Sequence, residues 1–226
     1  MDYTEDALVL RTVNFGENDR MVTLLTAGRG KIAAAMKGVR KAAARLNFAA
    51  QPFCFAEYTI AERAGRRTVT GASLYDGFYA LREDMTKYYT AICVAEACDA
   101  LVLEEMPSGE FLVAAVGALR EICAGEEYAL IKFLCDALRF AGYPIEIPKG
   151  EVRRFGFASG SFSAEREEEG VPVSESTVET LRFVLSGEGT PTSDGKKRAL
   201  RLLRAFFSYQ TESDLPTLGE LLNLME

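Results

Sequence analysis

Short apolar and β-branched runs alternate with turn residues through the first 75 positions of the chain. Five runs of strand length occupy residues 7–12, 21–26, 31–36, 53–60 and 67–74. Glycine-containing turns separate most of them, and a longer connection covers residues 38–51. Five short strands in this length of chain predict a small β-barrel.

After Tyr79 the apolar positions recur every three to four residues, which is the period of an amphipathic helix. These stripes predict helices around residues 91–102, 111–123 and 128–141, and the last of them ends at a glycine-then-proline stop, Gly142-Tyr143-Pro144. Ser176 and Glu179 fit a capping box that starts a fourth helix. Two more helices are predicted at residues 196–209 and 218–224.

The two patterns together predict an α+β, multidomain chain. Residues 1–79 are expected to form a five-stranded OB-fold barrel, the small barrel that most often binds single-stranded nucleic acid. Residues 80–226 are expected to form an all-α helical domain. Glycines and acidic residues interrupt the helical pattern at about 143–174, which predicts an irregular insert or small hairpin.

Composition places the chain among ordinary globular proteins. Of its 226 residues, 48% are hydrophobic and 26% charged, which is enough to bury a substantial core. No run approaches the roughly 18 to 20 apolar residues of a membrane helix, and residues 1–6 are acidic, unlike a signal peptide. We therefore expect a cytoplasmic protein with no membrane partner.

The residue types available exclude several kinds of catalysis. The chain has no histidine, so the usual general base near neutral pH and histidine-metal chemistry are both absent. Five cysteines, an odd number without a CxxC pair, are expected to be buried and reduced, namely Cys54, Cys93, Cys98, Cys123 and Cys135. We expect no enzyme activity, no cofactor and no metal. The alternative is a magnesium-dependent nuclease using Glu165 and residues 167–169, although a charge run of this kind is usually solvated.

Charge is distributed unevenly along the chain. The net charge is −7, yet residues 1–80 hold 11 lysines and arginines against 8 acidic residues, and residues 11–45 hold 8 against 2. Residues 81–226 hold 15 against 25. The barrel is thus a basic module joined to an acidic one, and only the basic part suits a phosphate backbone.

Four cations in the long connection after the third strand are spaced to meet successive phosphates: Lys37, Arg40, Lys41 and Arg45. Contacts of this type bind nucleic acid without reading its sequence and weaken as salt is added. The alternative is that the loop is a solvated surface and nothing more. Among the nearby aromatic residues, Phe48 is the candidate for stacking on a base.

An ordered set of short motifs resembles the RecO family. The motifs are Leu8-Val9-Leu10-Arg11, Gly16-Glu17-Asn18-Asp19, Leu25-Thr26, Gly30-Lys31, Lys37-Gly38-Val39-Arg40-Lys41 and residues 46–53. They resemble the N-terminal OB domain of that family over nearly its whole length. Residues 132–138, followed by Gly142-Tyr143, are similar to the helix before the family's variable, sometimes zinc-binding, insert. Zinc-binding members carry paired cysteines there, whereas residues 155–163 contain none, so a zinc-free insert is expected.

The resemblance implies a bacterial, nucleoid-associated recombination mediator in DNA repair. Such a protein binds single- and double-stranded DNA, anneals complementary strands and, with RecR, helps load recombinase onto DNA coated by the single-strand-binding protein SSB. The matching positions for phosphate contact are Arg29, Lys31, Lys37, Arg40, Lys41 and Arg45. The acidic C-terminal tail of SSB is expected on the face that carries Lys132 and Arg139.

Four alternatives stay open at this point. The barrel could act on RNA, or the chain could be a protein-interaction adaptor that never meets nucleic acid, as its pI near 5.0 favours. A second basic face for an acidic tail is formed by Lys197, Arg201 and Arg204, beside Lys196 and Arg198. Either basic face of the helical domain could also be a solvated surface that neutralises nearby acids.

Overall fold

The N-terminal strands close into a barrel in the computed structural model, which describes residues 1–164 and 170–225. The strands are β1 (Asp2–Phe15), β2 (Asp19–Thr26), β3 (Gly30–Met36), β4 (Phe55–Arg63) and β5 (Arg66–Asp76). Their order around the barrel is β1-β2-β3-β5-β4, and β4 pairs with β1 to complete the circle. Neighbours are antiparallel except β3 and β5, which pair in parallel at Ala35 and Thr68. The predicted five-stranded OB-type barrel is confirmed.

Alternate side chains of each strand fill the barrel interior, as the period of two requires. The buried set includes Val9, Val22, Leu24, Ile32, Ala34, Met36, Ile60 and Val69. Tyr58 is fully buried among them, and its hydroxyl donates to the carbonyl oxygen of Ala49 at 2.9 Å. Burial raises the pKa of Tyr58 far above its usual range, so its hydroxyl stays protonated as a donor. Ala49 belongs to a 3₁₀ turn, Phe48–Ala50, whose two alanines are buried in the barrel core.

Six α-helices follow in the described residues. They are α1 (Met85–Leu101), α2 (Gly109–Ala124), α3 (Ala129–Phe140), α4 (Glu175–Ser186), α5 (Ser193–Thr211) and α6 (Pro216–Leu224). α3 buries one apolar face, including Phe133, Leu134 and Leu138, and ends before Gly142, whose φ of 91° is the left-handed conformation that glycine adopts readily. None of the helices in the described part of the chain combines the length and the apolar character needed to cross a membrane.

The start of α4 differs from the predicted capping box. Ser174, not Ser176, is the N-cap, because its extended backbone brings its hydroxyl within 3.3 Å of the Thr177 N–H. Glu179 does not reach back to the cap. Instead its carboxylate pairs with Arg182 at 3.1 Å and accepts from the Thr190 N–H at 3.3 Å, which ties α4 to the loop before α5.

The insert between α3 and α4 contains a three-stranded sheet with β6 (Arg154–Gly156) between β7 (Ser161–Ser163) and β8 (Val171–Pro172). Phe155 is fully buried and meets the ring of Phe206 on α5 edge-on, with centroids 5.0 Å apart. Aromatic packing therefore anchors the insert to the helices. The acidic cluster considered for magnesium, Glu165 and residues 167–169, lies outside the described residues.

All five cysteines are free thiols, and four of them are buried. Cys123 is half-buried. Burial raises the pKa of Cys135 to about 12 and also raises the pKa values of Cys93 and Cys98. A thiol that stays protonated is a poor nucleophile and a poor metal ligand, so these side chains act as packing groups.

Candidate nucleic-acid interface

The segment between β3 and β4 presents a group of cations at one end of the barrel. We call residues 37–45 the basic loop. Lys37, Arg40, Lys41 and Arg45 are all exposed, and none of the four forms an ion pair with a carboxylate in residues 1–164 and 170–225. Val39, between them, is buried in the barrel core and anchors the loop. The loop thus combines a fixed backbone with side chains that are available to a ligand.

Hydrogen bonds hold the basic loop against the turn between β1 and β2. The Asp19 carboxylate accepts from the Gly38 N–H at 2.7 Å, and the Asn18 carbonyl oxygen accepts from the Arg40 N–H at 2.9 Å. The Arg40 guanidinium donates to the carbonyl oxygens of Glu17 at 3.0 Å and Gly16 at 3.3 Å. The motif Gly16-Glu17-Asn18-Asp19 therefore holds the basic loop in position through these hydrogen bonds.

Arg20 supports the other end of the same connection. Its guanidinium donates to the Ala50 carbonyl oxygen at 3.3 Å and to the Asn14 side chain at 3.3 Å. Phe48, the predicted stacking residue, is half-buried and packs against the barrel core. The described geometry therefore gives Phe48 a packing role, while its contact with a base stays a prediction.

Arg29 and Lys31 lie elsewhere. They belong to the start of β3 and the turn before it, about 20 Å along the strand from Lys37. Arg29 pairs with Glu5 at 3.5 Å and Glu105 at 3.6 Å and lies over the Tyr3 ring at 4.3 Å. Lys31 pairs with Asp99 of α1 at 3.1 Å. The structure thus places four of the six residues predicted to contact phosphate on one loop. Carboxylates neutralise the other two, Arg29 and Lys31, so their contact with DNA stays a prediction.

The Arg29–Glu105 and Lys31–Asp99 pairs join the barrel to the helical part of the chain. The loop between α1 and α2 crosses the end of the barrel, where the Leu103 carbonyl oxygen accepts from the Lys31 N–H at 3.2 Å and Ala27 accepts from the Ser108 N–H at 2.9 Å. Gly30 sits at the point of closest approach, because a Cβ there would lie 2.4 Å from the Leu103 oxygen. The close contact between the barrel and the α1–α2 loop therefore explains the Gly30-Lys31 motif.

Two arginines that sequence reasoning did not select lie beside the basic loop. Arg63 and Arg66 flank the β4–β5 turn, and with Lys37 they line a surface groove of about 860 Å³. Arg66 forms no ion pair within the described part of the chain, and Arg63 only meets Asp2 at 4.0 Å. The sequence signal for these two arginines is their position on either side of the turn residues Ala64-Gly65.

The comparisons with known proteins cover both parts of the chain. Models of Recombination protein O N terminal and Recombination protein O C terminal match residues 1–78 and 82–219, respectively. DNA repair protein RecO of Myxococcus xanthus (strain DK1622) is 33% identical over 223 residues, covering 92% of this chain and 91% of that protein. The chain belongs to the RecO family of DNA repair proteins.

Further relatives carry the same name. DNA repair protein RecO of Desulforamulus reducens is 27% identical over 235 residues, which is 95% of this chain and 92% of that protein. The corresponding protein of Nocardioides sp. is 38% identical over 148 residues, 63% of this chain and 61% of its own length. The RecO resemblance drawn from the sequence motifs is confirmed.

In this RecO-family chain, the face predicted for a protein partner borders a shallow groove between α2 and α3. The groove has a volume of about 200 Å³, and Gly117, Lys132 and Phe133 are among its lining residues. Val113 also lines it and is 75% exposed, so the groove offers an uncovered apolar surface. Lys132 pairs with Glu121 across the groove, and Arg139, about two turns further along α3, pairs with Asp136 at 2.9 Å.

The second basic face of the RecO helical domain lies on α5. Lys196 pairs with Glu127 at 3.4 Å, Arg198 with Asp194 at 2.7 Å, and Arg204 makes two contacts with Asp214 at 2.9 and 2.7 Å. The Arg204 hydrogen bond lowers the pKa of Asp214, and the same contact raises the pKa of Arg204. These three cations have acidic neighbours, as Lys132 and Arg139 have, so ion pairing does not distinguish the two faces. The α2–α3 groove differs in the exposed apolar side chain of Val113 that lines it.

Proposed function

We propose that this RecO-family protein is a recombination mediator that binds single- and double-stranded DNA without sequence preference. It anneals complementary strands and, together with RecR, helps load recombinase onto DNA covered by SSB. It works by binding rather than by catalysis, which agrees with the absence of histidine from the sequence. With chromosomal DNA as its substrate, its place is the bacterial cytoplasm, at the nucleoid.

The observation that carries this proposal is the basic loop. Four exposed cations stand on one loop of a chain whose net charge is −7, and the described carboxylates leave them unpaired. Long-range repulsion from the acidic helices opposes the approach of DNA, so a binding site must concentrate its positive charge locally. The hydrogen bonds to Asp19 and Asn18 fix the loop in place, which lowers the entropy lost on binding.

The helical domain supplies the proposed protein contact. We place the acidic tail of SSB in the α2–α3 groove, with its apolar end over Val113 and its carboxylates near Lys132 and Arg139. Support comes from the exposed apolar floor and from the two cations on the adjoining face of α3. The helical domain is acidic overall, so the groove also needs these cations to overcome like-charge repulsion from the tail.

DNA affinity measured against salt tests the central claim. If Lys37, Arg40, Lys41 and Arg45 all contact phosphates of a duplex, the logarithm of affinity should fall with the logarithm of salt with a slope of about −3.6. The double variant K37E/K41E should reduce the magnitude of that slope by about 1.8 and bind more weakly. Neither lysine side chain forms a hydrogen bond or an ion pair within the described residues, so the two substitutions remove no such contact from the fold.

A matched control has the same change in net charge. R120E/K149E alters two exposed cations outside the barrel and should leave binding close to that of the unchanged protein. Equal effects of the two double variants would remove the basic loop from the site. The same proteins, assayed for annealing of complementary DNA or RNA strands, separate a DNA mediator from an RNA-binding barrel. An adaptor that does not bind nucleic acid would show no salt-dependent binding to either.

A further inference from the structure

The α1–α2 loop brings one carboxylate into a group of charged side chains on the barrel. Glu105, in the middle of this loop, contacts two barrel arginines: it lies 3.6 Å from Arg29 and forms a hydrogen-bonded ion pair with Arg67. Each arginine also has a carboxylate from the barrel itself, with Glu5 at 3.5 Å from Arg29 and Glu62 at 3.5 Å from Arg67. Glu105 is therefore an additional acidic partner, which these two arginines do not need for charge balance.

Asp99 of α1 acts on a third cation of the barrel. Its carboxylate lies 3.1 Å from the ammonium group of Lys31, which also donates to the Asp99 backbone carbonyl oxygen. Within the described residues, no carboxylate of the barrel pairs with Lys31, so its charge is neutralised by the helical part of the chain. The side chains of Arg29 and Lys31 are 33% and 20% exposed, respectively, so both reach the protein surface.

The backbone of Glu105 shows that its position is imposed by its surroundings. Its φ of 58° lies in the left-handed region, which costs a non-glycine residue free energy and persists only where neighbouring contacts hold it. Backbone hydrogen bonds fix the loop on both sides: the Leu103 carbonyl oxygen accepts from the Lys31 N–H at 3.2 Å, and the Ala27 carbonyl oxygen accepts from the Ser108 N–H at 2.9 Å. The Glu105 carboxylate can therefore lose its arginine partners while the loop stays on the barrel.

Lys31 and the basic loop are close enough to meet one DNA molecule. Lys31 lies about 20 Å along β3 from Lys37, at which the basic loop begins. Each strand of a duplex has one phosphate every 3.4 Å along the helix axis, so about six base pairs span this distance. A longer duplex held by the basic loop can therefore also bring phosphates to Lys31 and to Arg29 beside it.

We propose that Asp99 and Glu105 are internal competitors of DNA. They hold Lys31 and Arg29 in ion pairs, and a phosphate must displace these carboxylates before it can use the two cations. Exposed ion pairs are weak, so such an exchange is possible without unfolding. The inference rests on the proposed DNA-binding function and adds to it a regulation, in which the helical part of the chain limits the affinity of the barrel.

Removing both competitors tests this regulation directly. The double variant D99N/E105Q eliminates the two negative charges and nearly preserves the size of the side chains. Each exposed ion pair corresponds to about 1.4- to 5-fold in an equilibrium constant, so the loss of two should tighten duplex binding about 2- to 30-fold. The two released cations should also increase the magnitude of the salt slope by up to about 1.8. Fluorescence anisotropy of a labelled duplex at several salt concentrations measures both quantities.

A matched control separates this competition from a general change in charge. E151Q/D194N has the same change in net charge and removes the carboxylates of two other exposed pairs, each 2.7 Å long: Arg153 with Glu151, and Arg198 with Asp194. It should tighten DNA binding less than D99N/E105Q does. The single variants D99N and E105Q should each show part of the gain, so the test does not depend on one protein.

A quadruple variant identifies the cations that are released. R29Q/K31Q/D99N/E105Q lacks both the competitors and the two cations, and it has the same net charge as the unchanged protein. Because Arg29 and Lys31 are neutralised in the unchanged protein, the quadruple variant should bind the duplex as the unchanged protein does. The gain seen in D99N/E105Q should therefore be lost.

Each of the other outcomes contradicts a specific step. If D99N/E105Q and its single variants bind no more tightly than E151Q/D194N, the two carboxylates do not compete with DNA. If the quadruple variant keeps the gain, Arg29 and Lys31 are not the released cations. In both cases a defect of K37E/K41E would still support the proposed function. If neither the unchanged protein nor D99N/E105Q binds nucleic acid, the proposed function fails and the inference fails with it.

Discussion

The Asp19 carboxylate accepts a hydrogen bond from the Gly38 backbone N–H at 2.7 Å, and this contact fixes the point at which the basic loop leaves the barrel. An acidic residue thus supports a cationic surface. Its charge repels phosphate, but its geometry positions Lys37 on one side and Arg40 on the other. The two effects act on DNA affinity in opposite directions, so they can be separated by experiment.

We expect Asp19→Ala and Asp19→Asn to differ although both remove the negative charge. Asparagine retains an oxygen that can accept from Gly38, whereas alanine leaves that N–H without its partner. Asp19→Ala should lower the free energy of unfolding by about 1 to 2 kcal/mol relative to Asp19→Asn and should bind DNA more weakly. Urea unfolding and a DNA titration at one salt concentration measure the two quantities. If Asp19→Ala binds DNA more tightly than Asp19→Asn, the positioning role is wrong.

The barrel could be predicted from the sequence because its signals lie within short segments of the chain. The alternation of Val22, Leu24 and Ile32, Ala34 with outward residues is visible in a few residues of sequence, and so are the glycine turns between strands. The order of motifs through Lys37-Gly38-Val39 also identified the family correctly. These features need no knowledge of which distant segments meet.

The roles of individual cations could not be predicted in the same way. Arg29 and Lys31 look as available as Lys37 in the sequence, yet Glu105 and Asp99, about 70 residues further along, neutralise them. Arg63 joins Lys37 in one groove only because β3 and β5 are neighbours in the closed barrel. Partners contributed by tertiary folding decide which charges remain free, and the sequence pattern does not contain them.

Two glycines inside helices should respond oppositely to alanine. Gly117 in α2 has open space where a Cβ would be placed, so Gly117→Ala should stabilise the protein by up to about 1 kcal/mol through higher helix propensity. Gly195 in α5 has the Ser176 carbonyl oxygen 2.4 Å from that position, so Gly195→Ala should be destabilising. Thermal unfolding measures both, and a rise of about 2 to 4 °C is expected for Gly117→Ala. A lower Tm for Gly117→Ala would show that α2 is packed more tightly than described.

The Arg204–Asp214 pair should make a pH-dependent contribution to stability. The hydrogen bond from Arg204 lowers the pKa of Asp214 in the folded protein, so the unfolded chain takes up this proton at a higher pH than the folded chain does. The stabilisation is therefore complete above the unfolded pKa of about 3.9 and is lost as the pH falls through the lower folded pKa. Asp214→Asn should cost less than about 1 kcal/mol at pH 7, because the side chain is half exposed.

Urea unfolding at pH 7, 5 and 3 checks this expectation. The difference in free energy of unfolding between Asp214→Asn and the unchanged protein should stay constant from pH 7 to 5 and become smaller at pH 3. Asp136→Asn removes the carboxylate of another exposed arginine pair, Arg139 with Asp136, and serves as a control for the general effect of adding positive charge. A difference at Asp214 that grows on acidification would contradict the assigned direction of the pKa shift.

Lys132 should lose an existing partner before it can bind an acidic tail, because it already pairs with Glu121. Lys132→Ala is expected to weaken binding of an acidic, Phe-terminated peptide about 3- to 20-fold. This is less than the full free energy of one charge-assisted hydrogen bond, because Lys132 must give up its pair with Glu121 when it binds the peptide. Glu121→Gln should act in the opposite direction and tighten binding, since it frees the ammonium group and removes a like charge from the groove. Calorimetry or fluorescence anisotropy with the full-length protein measures both effects.

Val113→Asp tests the apolar part of the same groove, because it places a charge where the terminal ring of the peptide is expected to lie. Binding should then weaken by more than it does in Lys132→Ala. Arg153→Ala breaks a comparable exposed pair, Arg153 with Glu151 at 2.7 Å, away from the groove, and should leave the affinity unchanged. Unchanged binding in both Lys132→Ala and Val113→Asp would remove the α2–α3 groove as the receptor. A loss confined to an Arg201→Ala variant would transfer the site to α5.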